Sequence, residues 1–550
     1  MLEKYLKKTE FSDYEDFKNN YKLDIPKNFN FAYDIVDEWA KKDKNKEALY
    51  WCDDFGNEKT YTFYDLMLLS NKAANFFVKS GIKKGDKVIL ILKQRPQVWI
   101  CMLALSKIGA IVIPASYQVT EKDIIYRCEK SSAKMIVFAD DSEIEKHIKL
   151  AKDKCPTVFA IATIGNNLSG EFMNFDKEIE SCSDKFDRPN LLTSDPMLIF
   201  FSSGTTGMPK MVLHNHSYPL GHIFTAKYWQ RVQENKRHLT MSDSGWAKFG
   251  WGKIYGQWIC GAIVVAYDTE KFVPQKLLKM ICRINLTTFC APPTVFRFLI
   301  KEDLSKYDFS SIKHCSIAGE PLNPEVFKKF KEYTKLDINE GFGQSETAVM
   351  LANYPWFEVK PGSTGKPSPL YDIDIVDENG KSCEDGIVGN LVIRNTDNYR
   401  PAGLFVEYHM DEATNKKAFA NNMYNTGDTA WRDSEGYYWF VGRNDDVIKC
   451  SGYRIGPFEV ESALLTHPSV LECAITAVPD PVRGQVVKAT VVLTKGNTAS
   501  DELKKELQDH VKKVTAPYKY PRIVEFVQEL PKTISGKIKR MEIRNEDMKK

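Results

Sequence analysis

The stretch 87–140 constrains the fold of this chain more than any other. Three short apolar runs, KVILIL at 87–92, AIVIPA at 110–115 and KMIVFA at 134–139, alternate with two segments of helical spacing, 97–107 and 121–130. Continuous apolar strands joined through helices are buried on both faces and run parallel. The segment therefore reads as βαβαβ, and the chain as an α/β protein with a mostly parallel, doubly wound sheet. Similar units recur at 287–292 and 314–319.

Beyond Pro361 the texture changes to short alternating strands, YDIDIVDENGKSCEDG followed by NLVIR, in which Asn379-Gly380 is a hairpin signal. A small β-barrel or sheet is expected there. A second change falls at 442–449, after which VVKATVVL reads as a strand and Leu503, Leu507, Val511 and Val514 give one apolar stripe of a helix. At 550 residues the chain is too long for one core. The expected organisation is a large N-terminal domain over 1–444 and a smaller, mobile α+β domain over 445–550.

Charge and cysteine usage exclude several classes of function. With 76 basic against 73 acidic side chains and a net charge of +3, the chain carries no field suited to nucleic acid or an anionic membrane. Its most apolar segment, 98–114, is interrupted by Ser106 and Lys107 and is too short to span a bilayer. The 12 cysteines include no C-x-x-C pair, which argues against structural zinc, iron–sulfur ligation or a disulfide framework and for a reducing cytoplasm. A homo-oligomer is compatible with this composition. The N-terminal residues show neither an apolar h-region nor the Arg-rich, acid-poor bias of a transit peptide.

Within this frame, residues 201–210, FSSGTTGMPK, are built to wrap backbone around phosphate. Gly204 and Gly207 permit close approach, Ser202, Ser203, Thr205 and Thr206 add hydroxyl donors, and Lys210 supplies the countercharge. The run follows a buried strand at 197–201 and so opens outside a strand's carboxyl end, where α/β sheets hold ligands. It is not a Walker A loop: two residues separate its glycines where that motif has four, and Lys210 follows Pro209.

Four further runs carry chemistry. In NEGFGQSET (339–347) the Phe342 ring suits an adenine face and the Glu346 carboxylate suits Mg²⁺, a hard cation that takes oxygen ligands. In YNTGDTAW (424–431) Asp428 follows a glycine, the setting of an acid that accepts ribose hydroxyls, and Arg443 is placed to reach the same ribose. GRNDDVIKCSGYRIGPFEVE (442–461) mixes glycines with alternating charge, and PKTISGKIKR (531–540) sets Lys537 behind Ser535-Gly536.

In this order, the five runs resemble the acyl-adenylate-forming superfamily of acyl-CoA synthetases, luciferases and peptide-synthetase adenylation domains. The runs SGYRIGPFEVESAL, PDPVRGQVVKA, VTAPYKYPR and LPKTISGKI are similar to the C-terminal domain of AMP-forming medium-chain acyl-CoA synthetases, and the N-terminus resembles the prokaryotic branch of that family. The resemblance implies an acid–thiol ligase that takes ATP, Mg²⁺ and coenzyme A. A carboxylate attacks the α-phosphate of ATP to give acyl-AMP and pyrophosphate, and the thiol of coenzyme A then displaces AMP. It implies that Ser202, Ser203, Gly204, Thr205, Thr206, Gly207, Met208, Pro209 and Lys210 hold the β- and γ-phosphates, with Thr205 and Glu346 at the Mg²⁺. Gly319, Glu320 and Pro321 would lie beside adenine, Phe342 would stack on it, and Glu340, Gly341, Gly343, Gln344 and Ser345 would follow the nucleotide. Ser345 stands where the family usually has Thr and keeps the hydroxyl. Asp428 and Arg443 would bind ribose, and Lys537 would bridge the carboxylate and the α-phosphate.

For the second step the family rotates its C-terminal domain about a hinge, which Asp445 matches. Rotation would withdraw Lys537 and bring in Ser451, Gly452 and Tyr453 around the pantetheine thiol, with Arg454, Arg483 and Lys512 at the nucleotide end of coenzyme A. Acetate-specific relatives carry a pocket-capping Trp at the position of Gly343, so glycine there implies room for more carbons, with Trp246 and Gly250 lining the pocket. A short-to-medium or branched-chain fatty acid is the expected substrate. The alternatives are an aryl-acid or short-chain ligase on the same scaffold and a catalytically silent acyl- or nucleotide-binding regulator.

Overall fold

The computed structural model describes residues 1–166, 169–202, 208–320, 322–397, 399–450, 453–532 and 537–547. The βαβαβ segment forms as expected. Lys87–Ile91 lies between Ile111–Ala115 and Met135–Phe138, and both pairings are parallel. Its first crossover, Gln97–Ile108, is almost wholly buried between sheet and neighbouring helices and stops at Gly109, whose φ of 81° lets its N–H reach back to Leu105. The second, Glu121–Ser131, starts with a Thr120/Asp123 capping box.

These strands belong to an eight-stranded sheet. Ala160–Thr163 and Met173–Asn174 extend it in parallel on one side, and Pro196–Ser202 joins Ile111–Ala115 on the other. Lys210–Asn215 then runs back antiparallel, and Glu407–Tyr408 closes the edge. A nine-stranded sheet holds the recurring units: Glu47–Asp53, Ile263–Asp268, Arg237–Thr240, Thr288–Ala291, His314–Ile317 and Ile338–Phe342 are successive parallel neighbours. Its edges are antiparallel, with Glu58–Thr62 at one end and Leu351–Ala352 and Lys366–Pro367 at the other.

The texture change beyond Pro361 is a five-stranded antiparallel sheet built on Ile373–Val376, Gly389–Arg394, Met423–Arg432 and Tyr438–Arg443, with Phe419–Ala420 at one edge. Asn379-Gly380 makes a turn in which the Asp377 N–H donates to Lys381 O at 2.8 Å. It folds Val376 onto Ser382 within a longer connection, and the main pairing of Ile373–Val376 is with Gly389–Arg394.

The last part of the chain carries its own sheet, including Val470–Asp480, Gly484–Leu493 and Ile523–Phe526, and a core of its own around Ile448, Val460, Leu464, Ile475, Val491, Leu507 and Val511. In the helix Asp501–Val514 the stripe Leu503, Leu507 and Val511 is buried, whereas Val514 at the helix end is 51% exposed. The stripe ends one turn early because the chain turns away after Val514. The N-terminal residues, given no element from sequence, are tied down by aromatic packing of Phe11, Phe17 and Tyr21 against Tyr228 and Trp356. Among the described residues, no helix is long and apolar enough to cross a membrane. All 12 cysteines are free thiols.

Candidate active site

The two strands that flank the phosphate-type run pair antiparallel. Ser202 ends one strand and pairs with Lys210 at the start of the next, antiparallel, strand. No helix N-terminus follows, so the positive charge here comes from Lys210 rather than from a helix dipole. Ser203, Gly204, Thr205, Thr206 and Gly207 lie outside the described residues. Met208 is exposed, and Pro209 is anchored by a 2.9 Å hydrogen bond from the Tyr126 hydroxyl to its carbonyl.

This strand pair and the 339–347 run meet at one tyrosine. The Tyr408 hydroxyl donates to Glu346 Oε1 at 2.8 Å, and the Lys210 ammonium sits 5.0 Å from the Tyr408 ring centre. Burial, together with the Glu346 carboxylate, raises the Tyr408 pKa, so the tyrosine remains a donor. Ser345 lies beside Glu346, and its carbonyl accepts from His214 Nε2 at 2.8 Å. Gln344 reaches the ribose-side acid: its Nε2 donates to Asp428 Oδ2 at 2.5 Å and to Thr426 O at 2.8 Å, while Tyr424 donates to its Oε1 at 2.7 Å.

Asp428 and Arg443 are cross-strand partners in the antiparallel pair Met423–Arg432 and Tyr438–Arg443. Register alone therefore brings Arg443 Nη1 to 3.2 Å from Asp428 Oδ1. Asp428 is 4% exposed, and burial raises its pKa against the opposing pull of Arg443 and Gln344. Gly427, with a φ of 72°, lets the Arg443 guanidinium lie close over the backbone.

On the adenine side, Gly319 has a φ of 110°, a conformation that favours glycine, and nothing stands within 4 Å of where its Cβ would be. Glu320 faces Arg297 at 3.6 Å, and Pro321 lies outside the described residues. Behind them Glu340 is 4% exposed and accepts the Leu322 N–H at 3.4 Å; burial pushes its pKa up to about 8. Gly341 packs against Trp229, and half-buried Phe342 leans on Phe440 with ring centres 5.7 Å apart. Sequence reading passed over Lys248, whose Nζ donates to Ala318 O at 2.8 Å and whose pKa is lowered by desolvation. Its only signal was a lysine inside the glycine- and tryptophan-rich run SGWAKFGWGK.

Lys537 is exposed, and its charge acts on both Asp428 and Lys248. Asp445 is exposed, and its carbonyl accepts from Arg544 Nη1 at 2.5 Å; the next residue, Asp446, is buried and pairs with Arg544 at 3.0 Å. Ser451 and Gly452, and the side chain of Arg454, lie outside the described residues. Tyr453 is 52% exposed and stacks on Tyr518 with ring centres 4.2 Å apart, a partner the sequence reading missed. Lys512 lies 4.4 Å from the Tyr520 ring centre, two residues from Tyr518. Arg483 precedes Gly484, which pairs with Cys450.

On the acyl side, a Cβ on Gly343 would lie 2.7 Å from both the Ala348 carbonyl and the Trp251 ring edge, so the indole packs directly against the glycine. Trp246 caps the helix Ala247–Gly252, and Gly250 faces Tyr218 and Tyr255. Trp251 was missed because an aromatic in an apolar run reads as core.

The model of the AMP-binding enzyme family matches residues 36–400, and that of the AMP-binding enzyme C-terminal domain matches 459–537. The mitochondrial acyl-coenzyme A synthetase ACSM3 of Mus musculus is 41% identical over 98% of this chain and 94% of its own length. Among solved structures, an anthranilate CoA ligase, AuaEII, in complex with anthranoyl-AMP superposes with a TM-score of 0.86 at 28% identity, covering 95% of this chain and 98% of that one. An acyl-CoA synthetase of Brucella canis does so with a TM-score of 0.71 at 31% identity, covering 95% of this chain and 94% of its own.

Proposed function

The chain belongs to the AMP-binding enzyme family and is an ATP-dependent, AMP-forming acyl-CoA ligase, and within that class we propose both its residue roles and its acyl substrate. In the first half-reaction a carboxylate oxygen bonds to the α-phosphorus of ATP, and the bond to the bridging oxygen breaks to release pyrophosphate. In the second the thiol gives up its proton and its sulfur bonds to the acyl carbon, and the carbon–oxygen bond to AMP breaks.

The observation that carries the residue assignment is the convergence of Lys210, Glu346, Asp428 and Lys537 from four separate stretches of the chain. Tyr408 links Lys210 to Glu346, Gln344 lies two residues from Glu346 and bonds Asp428, and the Lys537 charge is felt at Asp428. Lys210 with the run 202–209 holds the leaving phosphates. Asp428 and Arg443 take the ribose, Phe342 and the 319–321 segment the adenine, and Lys537 the charge building at the α-phosphate. Among the described residues no cluster of three or more His, Cys, Asp or Glu side chains has a metal-site arrangement. A single carboxylate, Glu346, fits Mg²⁺, which enters such sites largely on substrate phosphate oxygens; when bound it neutralises phosphate charge.

We place the domain boundary at Asp445, where the separate C-terminal core begins, and assign the exposed Tyr453 face with Arg483 and Lys512 to coenzyme A. The acyl substrates are short-to-medium or branched-chain acids whose tails run along Trp251. Each buried methylene adds about 0.8 kcal/mol, so neighbouring chain lengths are poorly separated. A reducing cytoplasm suits the 12 free thiols. A carboxylate panel assayed for AMP and acyl-CoA tests the reading; ATP hydrolysis without thioester formation on every acid would refute it.

A further inference from the structure

Beside Gly250 and Gly343 lies a group of buried polar atoms that no protein partner satisfies. They are His214 Nδ1, the Tyr218 hydroxyl, His222 Nε2 and Trp251 Nε1. All four side chains belong to residues at most 5% exposed. They are contiguous: the Tyr218 ring centre lies 3.9 Å from that of His214 and 4.5 Å from that of His222, and the His222 ring is 6.5 Å from that of Trp251. The indole N–H faces the Tyr218 hydroxyl without meeting it at hydrogen-bond geometry.

Two contacts attach the group to the acyl site. The Tyr218 hydroxyl is 3.4 Å from where a Cβ on Gly250 would stand, and the Trp251 ring edge lies against Gly343. A third attaches it to the adenylate side. His214 Nε2 donates to the Ser345 carbonyl at 2.8 Å, which in a neutral imidazole leaves Nδ1 as an acceptor. Gln257 steadies Trp251 by donating to its carbonyl at 2.9 Å. Native interiors rarely leave one such group unpaired, and four side by side mark a place where polar atoms of a ligand belong.

We propose that this wall recognises an acid whose tail carries a neutral hydrogen-bonding group, a hydroxyl, ring amine or keto oxygen, rather than a plain hydrocarbon tail. The inference rests on the acyl-CoA ligase reading and narrows its substrate class. Trp251 offers a donor, His214 an acceptor, and Tyr218 either. Burial holds both histidines uncharged and the tyrosine protonated, so the wall offers no countercharge to a second carboxylate.

The test compares matched acids of equal heavy-atom count, a medium-length alkanoate against its terminal hydroxy analogue and a methyl-substituted against a hydroxy- or amino-substituted aromatic acid, by kcat/KM for AMP release. The polar member of a pair is expected to lead by roughly two- to tenfold, the worth of one net hydrogen bond. Tyr218→Phe, which keeps the ring, is expected to bring that ratio near one, with His222→Leu as the second variant. A wild type that prefers the hydrocarbon member of every pair overturns the proposal and leaves the ligase reading intact, and so does a structure in which ordered water alone fills these positions while the ratio stays near one. Absence of AMP release on every acid removes the ligase reading and this inference with it.

Discussion

Replacing Arg443 by glutamine isolates the contribution of one ion pair to nucleotide binding. At 3.2 Å, with an effective dielectric of 20, the attraction between Arg443 and Asp428 is about 5 kcal/mol. The Arg443 side chain is 37% exposed, so water screens the pair and roughly 2 kcal/mol remains. The Asp428 pKa already stands above its ordinary value because the carboxylate is buried, and Arg443 is what holds it down. Removing the guanidinium takes away that opposing pull and lets it rise further. A carboxylate whose folded pKa is raised binds protons more readily when folded, so the ribose-accepting anion is lost as pH falls through that higher value. The acid limb of the pH profile for the adenylation half-reaction should therefore move upward in Arg443→Gln. Well above that limb, the KM for ATP should rise about 30-fold, the equivalent of 2 kcal/mol. The assay is carboxylate-dependent ATP–pyrophosphate exchange as a function of pH. An unmoved acid limb with an unchanged KM would refute the reasoning.

Lys537→Ala should cut acyl-AMP formation by about 10²–10³, the usual loss on deleting one donor to a developing charge, and largely spare thioester formation from supplied acyl-AMP; equal losses contradict the assignment. Gly343→Ala should drive a methyl against the Ala348 carbonyl and Trp251, lowering stability by about 1–3 kcal/mol in thermal unfolding and narrowing the range of acids accepted. If the chain pivots at Asp445, as we propose, Arg544→Met should loosen the segment that it holds through the Asp445 carbonyl and Asp446, slowing the overall turnover more than either half-reaction measured alone; unchanged overall turnover would dismiss the idea.

What was legible in the sequence was whatever repeats or is punctuated locally. The strands at 87–91, 111–115 and 135–138 announce themselves as uninterrupted apolar runs, and the Gly427 neighbourhood stands out because glycine marks unusual backbone. Tyr408 was not legible. It acts through a carboxylate 62 positions earlier in the chain, and only the edge strand Glu407–Tyr408 brings the two together. Lys248 and Trp251 were hidden for the opposite reason: they sit in an apolar run where core packing explains every residue until the unpaired indole nitrogen is seen in place.

The separate core at the end of the chain bears on how the protein comes apart. Ile448, Leu464, Val491 and Leu507 pack among themselves rather than into the large sheets, so the unit they form can melt or be nicked without dissolving the rest. Heating should then give overlapping rather than all-or-none transitions, and a single midpoint would describe neither part. Nucleotide and acid held against Lys537 would couple the two melts, so saturating ligand should merge them and raise the lower one. The width of the unfolding trace becomes a gauge of how firmly the C-terminal unit is held to the rest.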